Sequence, residues 1–193
     1  MANHLRFATP DDAARIADIY AYYVLNTTAS FEYTPPDAAE TAERMAAVTA
    51  TYPYLVFERE GVVVAYAYAS RFREREAYKY GAQLSIYIDE AYHGNGIGRA
   101  LYGALLDLLA AQGIYNVYAG ITLPNEKSVG LHRAMGFKEV GVYHSTGYKF
   151  GRWLDVMHME KALNAYQDVP EPVLSIHALN EANKEAILAR YYS

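Results

Sequence analysis

Residues 84–109 constrain this chain more than any other stretch. Leu84-Ser85-Ile86-Tyr87-Ile88 alternates with a period of two and is rich in β-branched and aromatic side chains, the pattern of a strand. Ile97, Leu101, Ala104, Leu105, Leu108 and Leu109 recur at spacings of three and four, the stripe of a helix laid on a sheet. Gln112-Gly113 marks that helix's C-terminus. Between strand and helix stands His93-Gly94-Asn95-Gly96-Ile97-Gly98. Glycines strip side chains from the turn and let backbone N–H groups approach a ligand. A helix N-terminus adds orphan donors and the positive end of its dipole, which suit phosphate. A tight turn without a ligand would use glycine in the same way. The dinucleotide fingerprint fails, because it wants an acidic residue about 20 positions on, and residues 115–123 contain none. The Walker A pattern fails too, since no Gly-Lys-Ser/Thr follows.

Around this unit the pattern predicts a short strand over 4–8, then a helix. Thr9 is the expected N-cap, with Pro10 in the first helical position and Asp11 and Asp12 in the first turn. A second helix is expected over 37–49 and a hairpin of strands over 54–58 and 62–70, turning at Glu60-Gly61. A strand over 115–121, a helix over 128–134 and two closing strands over 138–148 and 153–160 follow. Phe31, set among Thr, Ser and Glu, is expected to be exposed. Pro170-Glu171-Pro172 breaks the pattern and opens a tail. There Ile176, Leu179, Ala182, Ala186, Ile187 and Arg190 can share one helical face. About 15 residues of helix are marginal alone, so this tail should pack on its own domain or on a partner.

Composition removes several classes. Length suits one domain plus an extension: 193 residues, 52% hydrophobic and 20% charged. A net charge of −5 argues against broad nucleic-acid or anionic-membrane binding. With no cysteine, acyl transfer through a covalent thioester on the protein is impossible, as are disulfides and thiolate metal sites. No apolar run approaches the ~20 residues of a membrane span, and residues 1–10 lack a signal-peptide core, so a cytoplasmic protein is expected.

The run Ser85-Ile86-Tyr87-Ile88 with His93-Gly94-Asn95-Gly96-Ile97-Gly98 resembles the acyl-CoA motif of the GNAT superfamily of N-acyltransferases. Further segments resemble its phosphinothricin acetyltransferase-like branch: Tyr52-Pro53-Tyr54-Leu55-Val56, Ala65-Tyr66-Ala67-Tyr68-Ala69, Leu123-Pro124-Asn125 with Ser128-Val129, residues 132–137, and Gly151-Arg152-Trp153-Leu154-Asp155-Val156. The resemblance spans residues 4–162. It implies an α/β (α+β) GNAT fold: a mixed, mostly antiparallel sheet of about seven strands flanked by about four helices. Residues 1–162 would form the acetyltransferase domain and 163–193 a C-terminal extension, helical by its spacing and packed on the domain or a partner.

The resemblance implies acetyl-CoA as donor and a small amine, an amino acid or analogue, as acceptor. It places the pantetheine arm along Ile86, Tyr87 and Ile88. The pyrophosphate falls on the amides of Gly94, Asn95, Gly96, Ile97 and Gly98, with His93 and Arg99 beside them. His93 stands where the family usually has Gln or Arg. Asn125 and Ser128 are implied cofactor contacts, although a turn residue and an N-cap would look the same. Gln83 holds the position where the branch commonly has a glutamate that deprotonates the amine; an amide can only orient water or substrate. His132 lies where many relatives carry a tyrosine that protonates the leaving thiolate, and a solvated helix histidine is the alternative. Arg75 aligns with an arginine that would clamp an acceptor carboxylate, and Phe31 would cover the same acceptor. Lys149, Trp153 and Asp155 are taken as closing-strand structure. The branch commonly dimerises, so a homodimer is expected. Other functions kept open are acetylation of another small amine or antibiotic, and an acyl-CoA binding module of weak activity because of Gln83.

Overall fold

A computed structural model describes residues 3–192. Seven strands form one sheet in the order β1-β2-β3-β4-β5-β7-β6. They are β1 (Asn3–Phe7), β2 (Tyr54–Arg59), β3 (Val62–Arg71), β4 (Gly81–Ile88), β5 (Asn116–Thr122), β6 (Lys138–Lys149) and β7 (Arg152–Ala162). Every neighbouring pair is antiparallel except β4–β5, which is parallel and joined by a helical crossover. The helices are α1 (Ala13–Asn26), α2 (Ala38–Thr49), α3 (Ile97–Ala111), α4 (Glu126–Ala134) and α5 (Glu181–Ala189). The expected mixed sheet and four flanking helices are present, with α5 in the tail.

The first helix is entered through a short 3-10 turn at Pro10–Asp12. Asp12 reaches back to accept the Thr9 N–H at 2.7 Å and the Arg6 guanidinium at 2.7 and 2.8 Å. Arg6 also holds Glu58 on β2. Desolvation of Asp12 is outweighed by these hydrogen bonds, which keep its carboxyl below the usual carboxylate range. For α2, the Asp37 carboxylate accepts the Glu40 N–H at 2.9 Å, a side-chain N-cap.

The sheet separates two apolar layers. On one side Leu101, Ala104, Leu105, Leu108 and Leu109 of α3 pack on Leu55, Ala65, Ala67, Leu84 and Val117. On the other, Ile16 and Ile19 of α1 and Met45 of α2 meet Tyr54, Val56, Val63 and Tyr66. Alternation along β4 sends Leu84, Ile86 and Ile88 toward α3 and Tyr87 toward α1.

The tail packs on its own chain, over α3 rather than away from it. The Leu174 N–H donates to the Gln112 carbonyl and the Ile176 N–H to the Thr51 carbonyl, both at 2.9 Å. The Gln112 amide nitrogen answers the Thr51 and Leu174 carbonyls at 2.8 Å. The helix is nine residues long, shorter than expected, and its inner face differs from the expected one. Lys184, Ile187 and Leu188 are buried, whereas Ala182, Ala186 and Arg190 are exposed. Ile176 is buried from a separate 3-10 turn. The turn at Ser175 and Asn180, which caps α5 by accepting the Ala182 N–H, resets the helical phase and so rotates the stripe.

Candidate active site

Strands β4 and β5 pair over only three positions, Gly81 with Asn116, Ala82 with Val117 and Gln83 with Tyr118. Both strands continue, β4 held by β3 as far as Ile88 and β5 by β7 as far as Thr122. Each is claimed on its outer side, so the sheet splits instead of fraying. Gln83 stands at the last joined pair, on the closed end of the split.

Hydrogen-bond parity decides which backbone groups face the opening. The Asp89 N–H donates to the Val64 carbonyl on β3. Odd residues of β4 therefore bond β3, and even ones turn toward β5. The Leu84 N–H closes the last β4–β5 pair, so the Leu84 C=O and the N–H and C=O of Ile86 and Ile88 turn toward the split, while the backbone of Tyr87 faces β3. The Tyr87 ring packs against Tyr20, Tyr23 and Tyr66, and Tyr87 borders the cleft. Ile88 borders the cleft and has side-chain partners of its own. The Tyr23 hydroxyl donates to its carbonyl at 2.5 Å and accepts its N–H at 3.2 Å, and His93 Nε2 lies 3.0 Å from both oxygens. The Ile88 groups thus have side-chain partners, while the Leu84 C=O and the Ile86 N–H and C=O face the split without a strand partner among the described residues.

At the far end, Gly94 and Gly96 adopt φ of 84° and 78°, left-handed values that glycine takes without a Cβ penalty. Gly96 is the N-cap of α3, and a Cβ at Gly94 or Gly96 would meet nothing within 4 Å. Among the described residues the N–H groups of 94–98 have no backbone acceptor. At Gly98 a Cβ would lie 3.1 Å from Leu131 of α4, so that glycine lets the two helices close together.

A cavity of about 1090 Å³ follows the split, from Gln83 past Ile86 to Gly94, Gly96, Gly98 and Arg99. Phe31, Asn125, Ser128 and His132 line it too. Asn95 and Ile97 do not: the Asn95 amide donates to the Tyr92 carbonyl at 3.2 Å, and Ile97 is buried in the core. Arg75 is exposed and also lies outside the lining, at the start of the 3-10 turn Glu76–Tyr78. Asn125, not Ser128, caps α4, accepting the Ser128 N–H at 3.1 Å.

His132 is 2% exposed, so it is no solvated helix histidine. Its Nδ1 lies 2.8 Å from the Ser128 carbonyl, which fixes the proton on Nδ1 and leaves Nε2 to accept from the Tyr102 hydroxyl at 3.1 Å. Burial lowers the His132 pKa, with the Ser128 contact opposing it, and burial raises that of Tyr102. The pair is a neutral imidazole and a neutral phenol, both lining the cleft.

Lys149, taken from the sequence as closing-strand structure, proves to order the loop between α1 and α2. It is 1% exposed, and its ammonium donates to the carbonyls of Val24, Thr27 and Ser30 at 2.7, 3.0 and 2.7 Å. Phe31, 37% exposed, follows directly and covers Gly147, where any Cβ would collide with its ring. Leu84, Tyr102 and Glu32 also line the cleft and were not anticipated. Strand parity could have pointed to Leu84; nothing local marks the other two. Among the described residues no cluster of His, Cys, Asp or Glu is arranged to hold a metal.

A sheet opened beside a helix whose bare N-terminus faces the gap defines a site for an extended, phosphate-bearing carrier, and hence a group transferase. The match of residues 5–158 to the acetyltransferase (GNAT) domain model makes the family plain, and the chain belongs to it as an acetyltransferase. It is 44% identical over 169 residues to a phosphinothricin N-acetyltransferase of Alcaligenes faecalis, covering 83% of each chain. It is 36% identical over 161 residues to the L-amino acid N-acyltransferase MnaT of Escherichia coli, covering 83% of this chain and 94% of that one. Its fold superposes on a phosphinothricin acetyltransferase from Sinorhizobium meliloti, solved in complex with AcCoA, with a TM-score of 0.84 at 39% identity over 91% of this chain and 99% of that one.

Proposed function

We propose that this enzyme moves an acetyl group from acetyl-CoA to the α-amine of a small amino acid or analogue of the phosphinothricin or methionine sulfone type. The carrying observation is the split itself: open backbone groups at Leu84 and Ile86 lead from an amide cradle to Gln83 at its closed end. The donor supplies an activated thioester; the chain must hold it, admit an amine beside it and manage two protons. Leu84 and Ile86 suit the pantetheine amides as a β-edge suits a peptide, and the amides at 94–98 suit the pyrophosphate. With no cysteine available, the amine attacks the thioester directly. Gln83 can orient that amine or a water but cannot hold its proton. The Tyr102 hydroxyl, bonded to neutral His132 and lining the cleft, can supply the proton to the departing thiolate, with His132 acting through Tyr102 rather than as the acid itself.

Residues 1–162 form the catalytic unit in this reading, and 163–193 its extension. The reading extends to a homodimer in the cytoplasm that engages no nucleic acid. No described helix is long and apolar enough to cross a membrane. Tyr143, Tyr148, Phe150 and Trp153 stand exposed on the β6–β7 hairpin at the sheet edge, surface that a second copy would cover. Sedimentation would report the dimer.

Thiol release from acetyl-CoA in the presence of phosphinothricin, L-methionine sulfone, a polyamine and an aminoglycoside tests the reaction. Release with the first two and not the others is expected. Coenzyme A binding without release by any amine would leave only a binding module.

A further inference from the structure

Among the described residues lining the cleft, Glu32 is the one carboxylate. We propose that Glu32 receives the ammonium of the acceptor and so selects cationic amines for this site, an inference that rests on the transferase reading of the cleft. It sits next to Phe31, on the loop that Lys149 pins by three carbonyls. Its own N–H donates to Ser30 Oγ at 3.1 Å, and the Tyr20 hydroxyl bridges Ser30 Oγ at 2.7 Å and Glu32 Oε1 at 3.0 Å. Arg44 donates to Oε1 at 2.8 Å and Oε2 at 3.2 Å.

These partners fill Oε1 and leave Oε2 able to accept another N–H. Desolvation works against the charge, but hydrogen bonds from Arg44 and Tyr20, with the fields of Arg44 and Lys149, outweigh it and hold the carboxyl below its usual range. Glu32 is therefore an anion at neutral pH and a poor base. It can bind an ammonium but not keep its proton, which is the complement of what Gln83 offers. Binding and deprotonation of the amine are then separate tasks in this enzyme, and only the first has a dedicated charged group.

The test is steady-state thiol release with acetyl-CoA and L-methionine sulfone, comparing wild type, Glu32→Gln and Arg44→Met. Glu32→Gln keeps the shape and a partner for Tyr20, and it should raise the amine KM about 10- to 100-fold, the worth of a hydrogen bond to a charged group. The KM for acetyl-CoA should not change. Arg44→Met frees the carboxylate without removing it and should leave the amine KM unchanged or lower it. If Glu32 merely tied the loop to Arg44, both variants would raise the amine KM together, and the inference falls. An unchanged amine KM in Glu32→Gln overturns it equally. Calorimetric titration of L-methionine sulfone into the protein saturated with coenzyme A gives the same comparison without turnover. Failure of the transferase reading would show differently, as wild type binding no coenzyme A at all.

Discussion

One buried lysine and one missing carboxylate carry most of the chemistry at the scale of single residues. Lys149 satisfies the Val24 carbonyl in the last turn of α1 and the Thr27 and Ser30 carbonyls of the irregular loop that follows. Burial lowers its pKa, with Glu32 opposing. Lys149→Met removes the donor and leaves those acceptors buried, so a loss of about 2–4 kcal/mol is expected in urea unfolding. The amine KM should rise with it while coenzyme A affinity holds. Gln83→Glu restores a base at the closed end of the split and should raise turnover, by up to ~10²-fold if deprotonation limits the rate. A variant no faster than wild type would show that the proton leaves another way. His132 makes a prediction about pH. Its native pKa is held below the imidazole value, so on acidification the unfolded chain takes a proton that the native state refuses. Stability must then fall as pH drops through the ordinary imidazole range, with a slope of up to about 1.4 kcal/mol per unit from this group. His132→Gln should flatten that slope between pH 7.5 and 5.5.

The split between β4 and β5 and the turn into α3 act as one device at the scale of elements. The split opens because β3 and β7 hold the two strands apart past Gln83, and α3 then directs its N-terminus at the gap. That N-cap is Gly96 at φ 78°. Gly96→Ala places a Cβ where space is free but backbone geometry is not, costing about 1–2 kcal/mol. The expected result is weaker coenzyme A binding with little change in the acceptor KM once donor is saturating. The Tyr23 and His93 side chains hold the Ile88 backbone at the far end of this β-edge.

The tail turns α3 into an internal helix at the scale of the whole molecule. Sheet contacts bury one side of it, and the tail covers another. A Cβ at Gly103 would collide with the Tyr191 ring, whose hydroxyl donates to Asp107 at 2.8 Å beside the Arg190–Asp107 ion pair at 3.0 Å. Gly103→Ala should destabilise by about 1–3 kcal/mol through overpacking. Adding Tyr191→Ala should recover part of that loss, a coupling that a double-mutant cycle on thermal unfolding would detect.

Local pattern determined the strands, the helices and the anion-binding turn, because alternation, helical spacing, caps and glycines act over a few residues. The glycine turn at Gly94–Gly98 into α3 and the place of Gln83 on β4 were legible for that reason. Where Arg75 points was not legible, since a guanidinium in a polar loop can point anywhere until the loop is packed. The role of Lys149 needs residues 119 to 125 positions away in the chain, and Glu32 matters because folding leaves it the single acid in the cleft. Which β4 amides stay open depends on β3, on Tyr23 and on His93. Sequence thus decided which groups exist and what local shapes they favour. Tertiary structure alone decided which of them remain unsatisfied, because a hydrogen bond or charge is spent or spare only once every distant partner is in place.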